Sequence, residues 1–246
     1  MRVLLRFEFD GTCYSGWQVQ PGAVTVQGVI EDALQKLCGR TVRVTGAGRT
    51  DAGVHALDMP VHLDIANEEF LRIEKGLNSQ LPPDIACREV VKVKDDFHSR
   101  FDALSRSYIY RTGKSRHPLR RFAEYQPGEP VLNTELMQRA ALLSIGENSW
   151  KGFSKEGSGN STWNINVTYA EVQEDSQGWN FCITANRFLR GVVRIWSGTL
   201  FRAGTGRLAP EAVTEILNTG DRTLAGPSLP ACGLTLVEVT YSHEAE

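Results

Sequence analysis

The run Gly46-Ala47-Gly48-Arg49-Thr50-Asp51-Ala52-Gly53-Val54-His55-Ala56 frames one guanidinium and one carboxylate between three glycines. Glycine accepts positive φ and lets another backbone or a ligand approach closely, so the run reads as a shaped turn. Arg49 carries a permanent charge that forks onto phosphate or carboxylate, and Asp51 is a potential nucleophile, base or structural acceptor. An isolated Arg-x-Asp is ordinarily a surface ion pair worth about 0–1 kcal/mol. Two nucleotide motifs fail here. Asp51 occupies the third-glycine position of a dinucleotide fingerprint, where a carboxylate would repel pyrophosphate, and Tyr108 stands where a phosphate loop ending in Gly113-Lys114-Ser115 needs glycine. No nucleotide cofactor is expected.

Upstream of the run, Val42 and Val44 alternate with Arg43 and Thr45, which predicts a strand leading into the turn and Asp51 in a loop immediately after it. Further back, Leu5, Phe7 and Phe9 alternate with Arg6 and Glu8, a half-buried strand that ends at Asp10-Gly11. Thr25 caps a helix whose apolar face is Val26, Ile30, Leu34 and Leu37, and Gly39 ends it. Downstream, Val61 to Ile65 is a strand, Asn67 caps a helix carrying Phe70, Ile73 and Leu77, the prolines at 82 and 83 stop it, and Ile85 to Val93 is a further strand. The order strand, helix, strand, strand, helix, strand is that of a split βαβ, ferredoxin-like unit.

The second half repeats the theme with larger loops. Ser105 to Thr112 is a strand, Arg116 to Pro130 an irregular connection, and Thr134 to Ile145 a helix burying Leu136, Ala140 and Leu143. Trp150 to Trp163, rich in Gly and Ser, reads as a mobile stretch. Ile165 to Gln173 and Trp179 to Ala185 form a hairpin, followed by a helix from about Phe188 to Phe201, a short helix starting at Pro210, and a last strand, Leu234 to Tyr241. On the Phe188 helix, Arg187, Arg190 and Arg194 recur at spacings that put them on one face. Tyr108 and Tyr110 share a strand face, where the ordinary role is core packing. The expected boundaries are 1–103 and 104–246, two α/β subdomains of an α+β protein.

Composition fits a folded protein: of 246 residues, 41% are apolar and 23% charged. Charges at Arg2, Arg6 and Glu8 come too early for a signal peptide, and no apolar run approaches membrane-spanning length, so a cytoplasmic location is expected, with no membrane partner. Cys13, Cys38, Cys87, Cys182 and Cys232 are scattered and never Cys-x-x-Cys, so neither a zinc site nor a disulfide framework is expected. His55, His62 and His98 show no metal-like spacing, and no metal is expected. The net charge of −2 hides two basic runs. Arg100, Arg106, Arg111, Lys114, Arg116, Arg120 and Arg121 are opposed only by Asp102, and Arg187, Arg190, Arg194, Arg202 and Arg207 by no acid between Arg187 and Arg207. Such runs suit a polyanion.

The glycine-framed run resembles the signature of the tRNA pseudouridine synthase A family, in which it surrounds the catalytic aspartate. The resemblance extends over nearly the whole chain, in the family's order: Asp10-Gly11-Thr12 with Tyr14-Ser15-Gly16-Trp17-Gln18; Thr25-Val26-Gln27; Leu77-Asn78 with Leu81-Pro82 and Asp84-Ile85-Ala86; Asp96 to Phe101; Tyr108-Ile109-Tyr110; Ala185-Asn186-Arg187-Phe188 with Val193-Arg194; and Gly233-Leu234. It implies a cofactor-free isomerase of two ferredoxin-like subdomains forming a continuous, mainly antiparallel central sheet, with helices on one side and a catalytic cleft between subdomains. The implied substrates are uridines thirty-eight to forty of the tRNA anticodon arm, and the implied assembly is a homodimer. By the same resemblance Asp51 is catalytic, Arg194 pairs with it, Tyr108 stacks on the target base and takes part in proton transfer at C5, Leu234 and Phe188 line the base pocket, and Arg49 displaces the base. Arg187, Arg190, Arg100 and Arg106 are the expected RNA contacts.

Three departures bear on RNA affinity and site choice: Asp58-Met59-Pro60 after the signature, Ser107 where a basic residue often precedes the tyrosine, and no arginine from Asn160 to Asn166. A non-catalytic RNA-binding module would explain Tyr108, Tyr110 and the arginines, but it leaves Asp51 without a role, since a carboxylate facing phosphates weakens binding. The same chemistry on another RNA site is the remaining alternative.

Overall fold

Leu5, Phe7 and Phe9 are all buried along strand β1 (Arg2–Phe9), as their alternation predicts. The computed structural model describes residues 1–128, 130–155 and 162–242. The chain divides into two compact units, Met1–Leu104 with the chain from Leu236 onward, and Ser105–Thr235.

In the first unit β1 is followed by α1 (Val26–Cys38), β2 (Thr45–Gly46), β3 (His55–Asp64), α2 (Phe70–Gln80) and β4 (Ile85–Val93). The antiparallel order is β4-β1-β3, with β2 on β3, the arrangement expected of a split βαβ unit. Helix α1 has the caps read from its sequence. Thr25 Oγ1 accepts from Gly28 N at 3.3 Å, and Gly39, at φ +70°, closes the last turn onto Gln35 O. Ile30 and Leu34 carry its buried face.

Three local expectations change. No strand forms at Val42 to Val44, because the Val44 amide donates to Glu31 Oε1 (3.1 Å) and its carbonyl accepts from Gln27 Nε2 (3.2 Å). Both backbone groups are satisfied by α1 side chains, so β2 shrinks to two residues and Asp51 lies five residues beyond it. Strand β3 begins at His55 rather than Val61, running back into the glycine-framed stretch. Asn67 opens a 3-10 turn instead of capping α2, while Glu69 takes the Ala66 amide on Oε2 at 2.8 Å and a forked pair from Arg40 across both carboxylate oxygens.

His62 on β3 gives this unit a pH dependence. Its Nδ1 accepts from Ser99 N at 3.1 Å, and Ser99 Oγ beside it donates to the Thr45 carbonyl at 2.7 Å, so a proton on Nδ1 would face an N–H. Burial, with the His98 ring and Arg2 adding to it, pushes the imidazole down to about 4. The unfolded chain takes up this proton near pH 6.5, the folded one only near 4. Stability from this group is therefore complete above about pH 6.5 and declines as pH falls from there toward 4. Urea midpoints measured across that window should slope less in His62→Gln than in the parent; equal slopes would remove His62 as the cause.

The second unit holds β5 (Ala103–Gly113) from Ser105 on, α3 (Thr134–Leu142), β6 (Gly146–Ser149), β7 (Asn164–Glu174), β8 (Gly178–Ala185), α4 (Val192–Gly204) and α5 (Ala212–Thr219). Its strands run β5-β8-β7-β6, antiparallel throughout. Asp175 closes the predicted hairpin, accepting from the Gln177 and Gly178 amides at 2.7 and 2.9 Å. The last strand, β9 (Leu234–Tyr241), starts in this unit and ends in the first, where Val239 N donates to Asp58 Oδ2.

Helix α3 buries Met137, Ala140 and Ala141, whereas Leu143 is exposed and Leu136 half-buried. Asn133 sets that phase by accepting from Leu136 N at 3.0 Å. Trp150 and Phe153 are fully buried, so the start of the Gly/Ser-rich stretch is core rather than mobile chain. Residues 156–161 of that stretch lie outside the described residues. Helix α4 starts at Val192, four residues later than its periodicity suggests, because Gly191 at φ +75° turns the chain just before it. Pro210 and Glu211 likewise sit in the turn ahead of α5. Both units mix helices with antiparallel sheet, and the α+β class stands. Among the described residues no helix is long and apolar enough to cross a membrane.

Candidate active site

Asp51 sits half-buried in a turn that backbone contacts hold from three sides. Trp17 N donates to Thr50 O (3.1 Å), Val54 N to Asp51 O (3.2 Å), and Ala47 N to Pro60 O (2.8 Å), while Gly53 takes φ +78°. The bed beneath is the segment Asp10 to Trp17. A Cβ on Gly11 would stand 2.0 Å from Val54 O, one on Gly16 2.7 Å from Thr50 O, and one on Gly46 2.8 Å from the Trp17 indole. These glycines are required because backbone or ring fills the space a side chain would need.

His55 fastens the far end of the turn. Its Nδ1 accepts from Gly11 N at 3.1 Å and lies 3.1 Å from Asp10 Oδ1, which also takes the Thr12 amide (2.9 Å) and hydroxyl (2.5 Å). Burial opposes the Asp10 charge, but the Thr12 bonds and the His55 ring outweigh it and hold this carboxyl below the usual range. Arg49 points outward and is exposed. The turn therefore carries a half-buried carboxylate and an exposed guanidinium on a frame of backbone contacts.

In the second unit Tyr108, on β5 opposite Ile183, is half-buried, and its ring meets Phe188 edge-on, centroids 5.2 Å apart at 88°. That pair forms a corner of two aromatic faces. Tyr110 is core as its pattern suggested: it is fully buried, parallel to Phe181, and its hydroxyl donates to Pro230 O at 2.9 Å. A Cβ on Gly233 would stand 2.6 Å from the Tyr110 ring, so Gly233 lets the chain leading to the buried Leu234 lie flat on that tyrosine.

Arg194 lies in the first turn of α4, half-buried. Its Nε donates to Leu229 O at 2.7 Å and its own carbonyl accepts from Leu229 N at 3.2 Å, which fixes the plane of the guanidinium. The Leu229 loop is anchored in turn: Gly226 N donates to Thr199 Oγ1 at 2.8 Å, and a Cβ on Gly198 would stand 1.9 Å from Pro227 O. Helix and loop touch backbone to backbone.

Arg187 and Arg190 do not share a helical face with Arg194. Both precede α4, separated from it by Gly191, so the three-and-four spacing there is not a helical one. Arg106 Nη1 donates to Asn186 O at 2.8 Å, and Asn186 Oδ1 accepts from Asn166 N, tying β5 to the segment that carries Arg187 and Phe188. Arg100, in the first unit, is exposed over the Phe101 ring at 5.6 Å. The departures have structural partners: Asp58 takes Arg6 at 2.5 Å as well as Val239 N, and Ser107 Oγ meets Thr184 Oγ1 at 2.9 Å. Of the asparagine-rich stretch, Asn164 and Asn166 lie on β7, and 160 and 161 fall outside the described residues. Among the described residues no group of three or more His, Cys, Asp or Glu could hold a metal ion. All five thiols are free.

The bed residues Gly11, Gly16, Trp17 and His55 carry no local sign of their role, since each acts on backbone many positions away. Only the motif Asp10-Gly11-Thr12 with Gly16-Trp17 marks the segment at all.

The first unit offers a carboxylate on a backbone-held turn, and the second an aromatic corner and an oriented guanidinium; each is a kind of group used in chemistry on the planar bases of a nucleic acid. Comparison with known proteins agrees. A family model described as tRNA pseudouridine synthase matches residues 6–102 and 140–242. A protein of Thermus thermophilus named tRNA pseudouridine synthase A is 41% identical over 251 residues, spanning 99% of this chain and 98% of that protein. Proteins of the same name from Caldicellulosiruptor bescii and Geotalea daltonii are 39% and 38% identical, each spanning 97% of this chain and 99% of its own length. The chain therefore belongs to the tRNA pseudouridine synthase family of isomerases.

Proposed function

We propose that the protein converts uridine to pseudouridine at positions thirty-eight to forty of the tRNA anticodon arm, with Asp51 as nucleophile. The observation that carries this reading is the Asp51 turn itself. Backbone bonds and tight glycine contacts hold the turn in shape around the half-buried carboxylate, which supports its use as a positioned reacting group. The reaction breaks the bond between uracil N1 and ribose C1′ and forms one between C5 and C1′. The proton lost from C5 is matched by one gained at N1, so no redox partner enters.

In this reading Arg194 keeps Asp51 ionised when the site closes to water, because a buried carboxylate without a cation tends to take up a proton. Tyr108 stacks on the turned-out base and moves the C5 proton, Phe188 and Leu234 line the base, and Arg49 occupies the place the base leaves. Arg187, Arg190, Arg100 and Arg106 hold phosphates. The enzyme works in the cytoplasm as a homodimer. Carbodiimide labelling followed by reverse transcription, on unmodified tRNA transcripts treated with the protein, should give stops for positions thirty-eight to forty. Stops confined to another position would keep the chemistry and reject the site.

A further inference from the structure

Between β5 and α3 the chain makes an excursion that the chemistry above does not use. Its base is closed by backbone bonds from Gly113 N to Tyr125 O (2.8 Å) and Tyr125 N to Arg111 O (3.0 Å), with Thr112 Oγ1 also on Tyr125 O. The Gln126 amide clamps it, accepting from His117 N at 3.0 Å and donating to His117 O at 2.8 Å. A 3-10 turn over Pro118–Arg120 follows, and Arg121 Nη1 donates to Pro118 O at 2.8 Å. The loop is thus pre-shaped, although it crosses the surface.

What it displays is unusual for a solvated loop. Leu119 is 90% exposed and Phe122 47% exposed, and the Arg121 guanidinium lies 4.0 Å over the Phe122 ring. Arg116, on the same loop, is exposed as well. From residue 114 to 124 the only acid is Glu124, itself buried and 3.6 Å from Arg120, while Lys114 pairs with Glu174. Arg116 and Arg121 are therefore outward cations with no acid set against them among the described residues. Cation with stacked aromatic, on a loop whose ordering entropy is already spent, fits a ligand that is anionic along its backbone and flat between charges. Two apolar side chains are too few for interfacial insertion into a bilayer.

We propose that this loop is a second tRNA contact, in which Arg116 and Arg121 bind ribose-phosphate backbone and the Phe122–Arg121 stack receives one unpaired base. The proposal rests on the tRNA reading above and adds a contact that reading lacks.

The test is the affinity of unmodified tRNA transcripts for the whole protein, measured across a salt series. Arg116→Ala with Arg121→Ala should raise Kd about tenfold and lower the magnitude of the salt slope by about two, one per lost phosphate contact. Phe122→Ala should raise Kd about tenfold with the slope kept, since stacking carries no counterion. Arg121→Lys, which keeps charge and loses the flat stack, should keep the slope while weakening binding. Unchanged Kd and slope in the double variant overturn the proposal. So does loss of binding to vesicles containing anionic lipid with tRNA binding untouched, which would make the loop a membrane contact. Carbodiimide mapping of the parent protein separates the two readings: modified uridines with unaltered variant affinity reject the loop alone, and altered affinity without any modified uridine rejects the enzyme reading alone.

Discussion

Asp51→Ala lowers the release of tritium from tRNA labelled at uracil C5 by more than about a thousandfold, while tRNA remains bound. Removing a covalent nucleophile eliminates the route itself, and losses of this size or larger are what such deletions give. Binding should hold or tighten slightly, because a carboxylate facing phosphates opposes association. The fold should hold as well, since the turn hangs on Trp17 N to Thr50 O, Val54 N to Asp51 O and the close backbone contacts at Gly11 and Gly16. Asp51→Asn, which preserves shape, separates charge from volume and should be as inactive as alanine. Single-turnover release with saturating enzyme is the measurement. An Asp51→Asn protein that retains a tenth of the parent rate would reject the nucleophile assignment.

Gly198→Ala should be the most destabilising single-methyl change in α4, and it should also slow the reaction. The new Cβ would lie 1.9 Å from Pro227 O, a backbone atom that moves only with its loop. Overpacking of this kind costs about 1–3 kcal/mol, here at the upper end, and alanine's better helix propensity returns roughly 1 kcal/mol. A net loss of about 2 kcal/mol corresponds to roughly 4–8 °C in Tm for a chain of this size. The displaced loop carries Leu229, whose carbonyl orients Arg194, so the rate should fall about tenfold or more at saturating tRNA. Gly76→Ala in α2 is the comparison: its Cβ meets only the flexible end of Leu37 at 3.1 Å, and stability should change by less than about 1 kcal/mol. Equal Tm shifts in the two variants would contradict the packing argument.

Where structure followed the sequence closely, the determinants were local. Thr25 and Gly39 bound α1 because a hydroxyl and a positive φ act within one turn, and β1, β4 and β9 follow from apolar alternation or short apolar runs. Where it did not, the determinant lay far along the chain. The Val42–Val44 alternation describes a strand, but Glu31 and Gln27 claim the Val44 backbone first. The polar four-residue β6, Gly146–Ser149, pairs only because β7 offers it an edge. At Arg187, Arg190 and Arg194 the spacing was helical on paper, yet one residue, Gly191, decides that the first two precede the helix.

The same division holds at the site. Asp51 was legible because its glycines are its neighbours in sequence. Its bed was not, since Gly11 and His55 meet across 44 positions, and neither was the orientation of Arg194, set by a carbonyl 35 residues away. Tyr108 and Tyr110 look alike in the sequence, and burial with the Pro230 bond separates the core tyrosine from the half-exposed one at the Phe188 corner.

The most direct test of the account is tritium release by the parent protein from unmodified tRNA transcripts labelled at uracil C5, followed by nucleoside chromatography of the same RNA. Pseudouridine has the mass of uridine, so loss of the C5 hydrogen is the signal that reports the rearrangement itself. One tritium should be released for each labelled uridine recovered as pseudouridine, without added cofactor. Transcripts that bind the protein yet release no tritium, and yield only uridine, would contradict it.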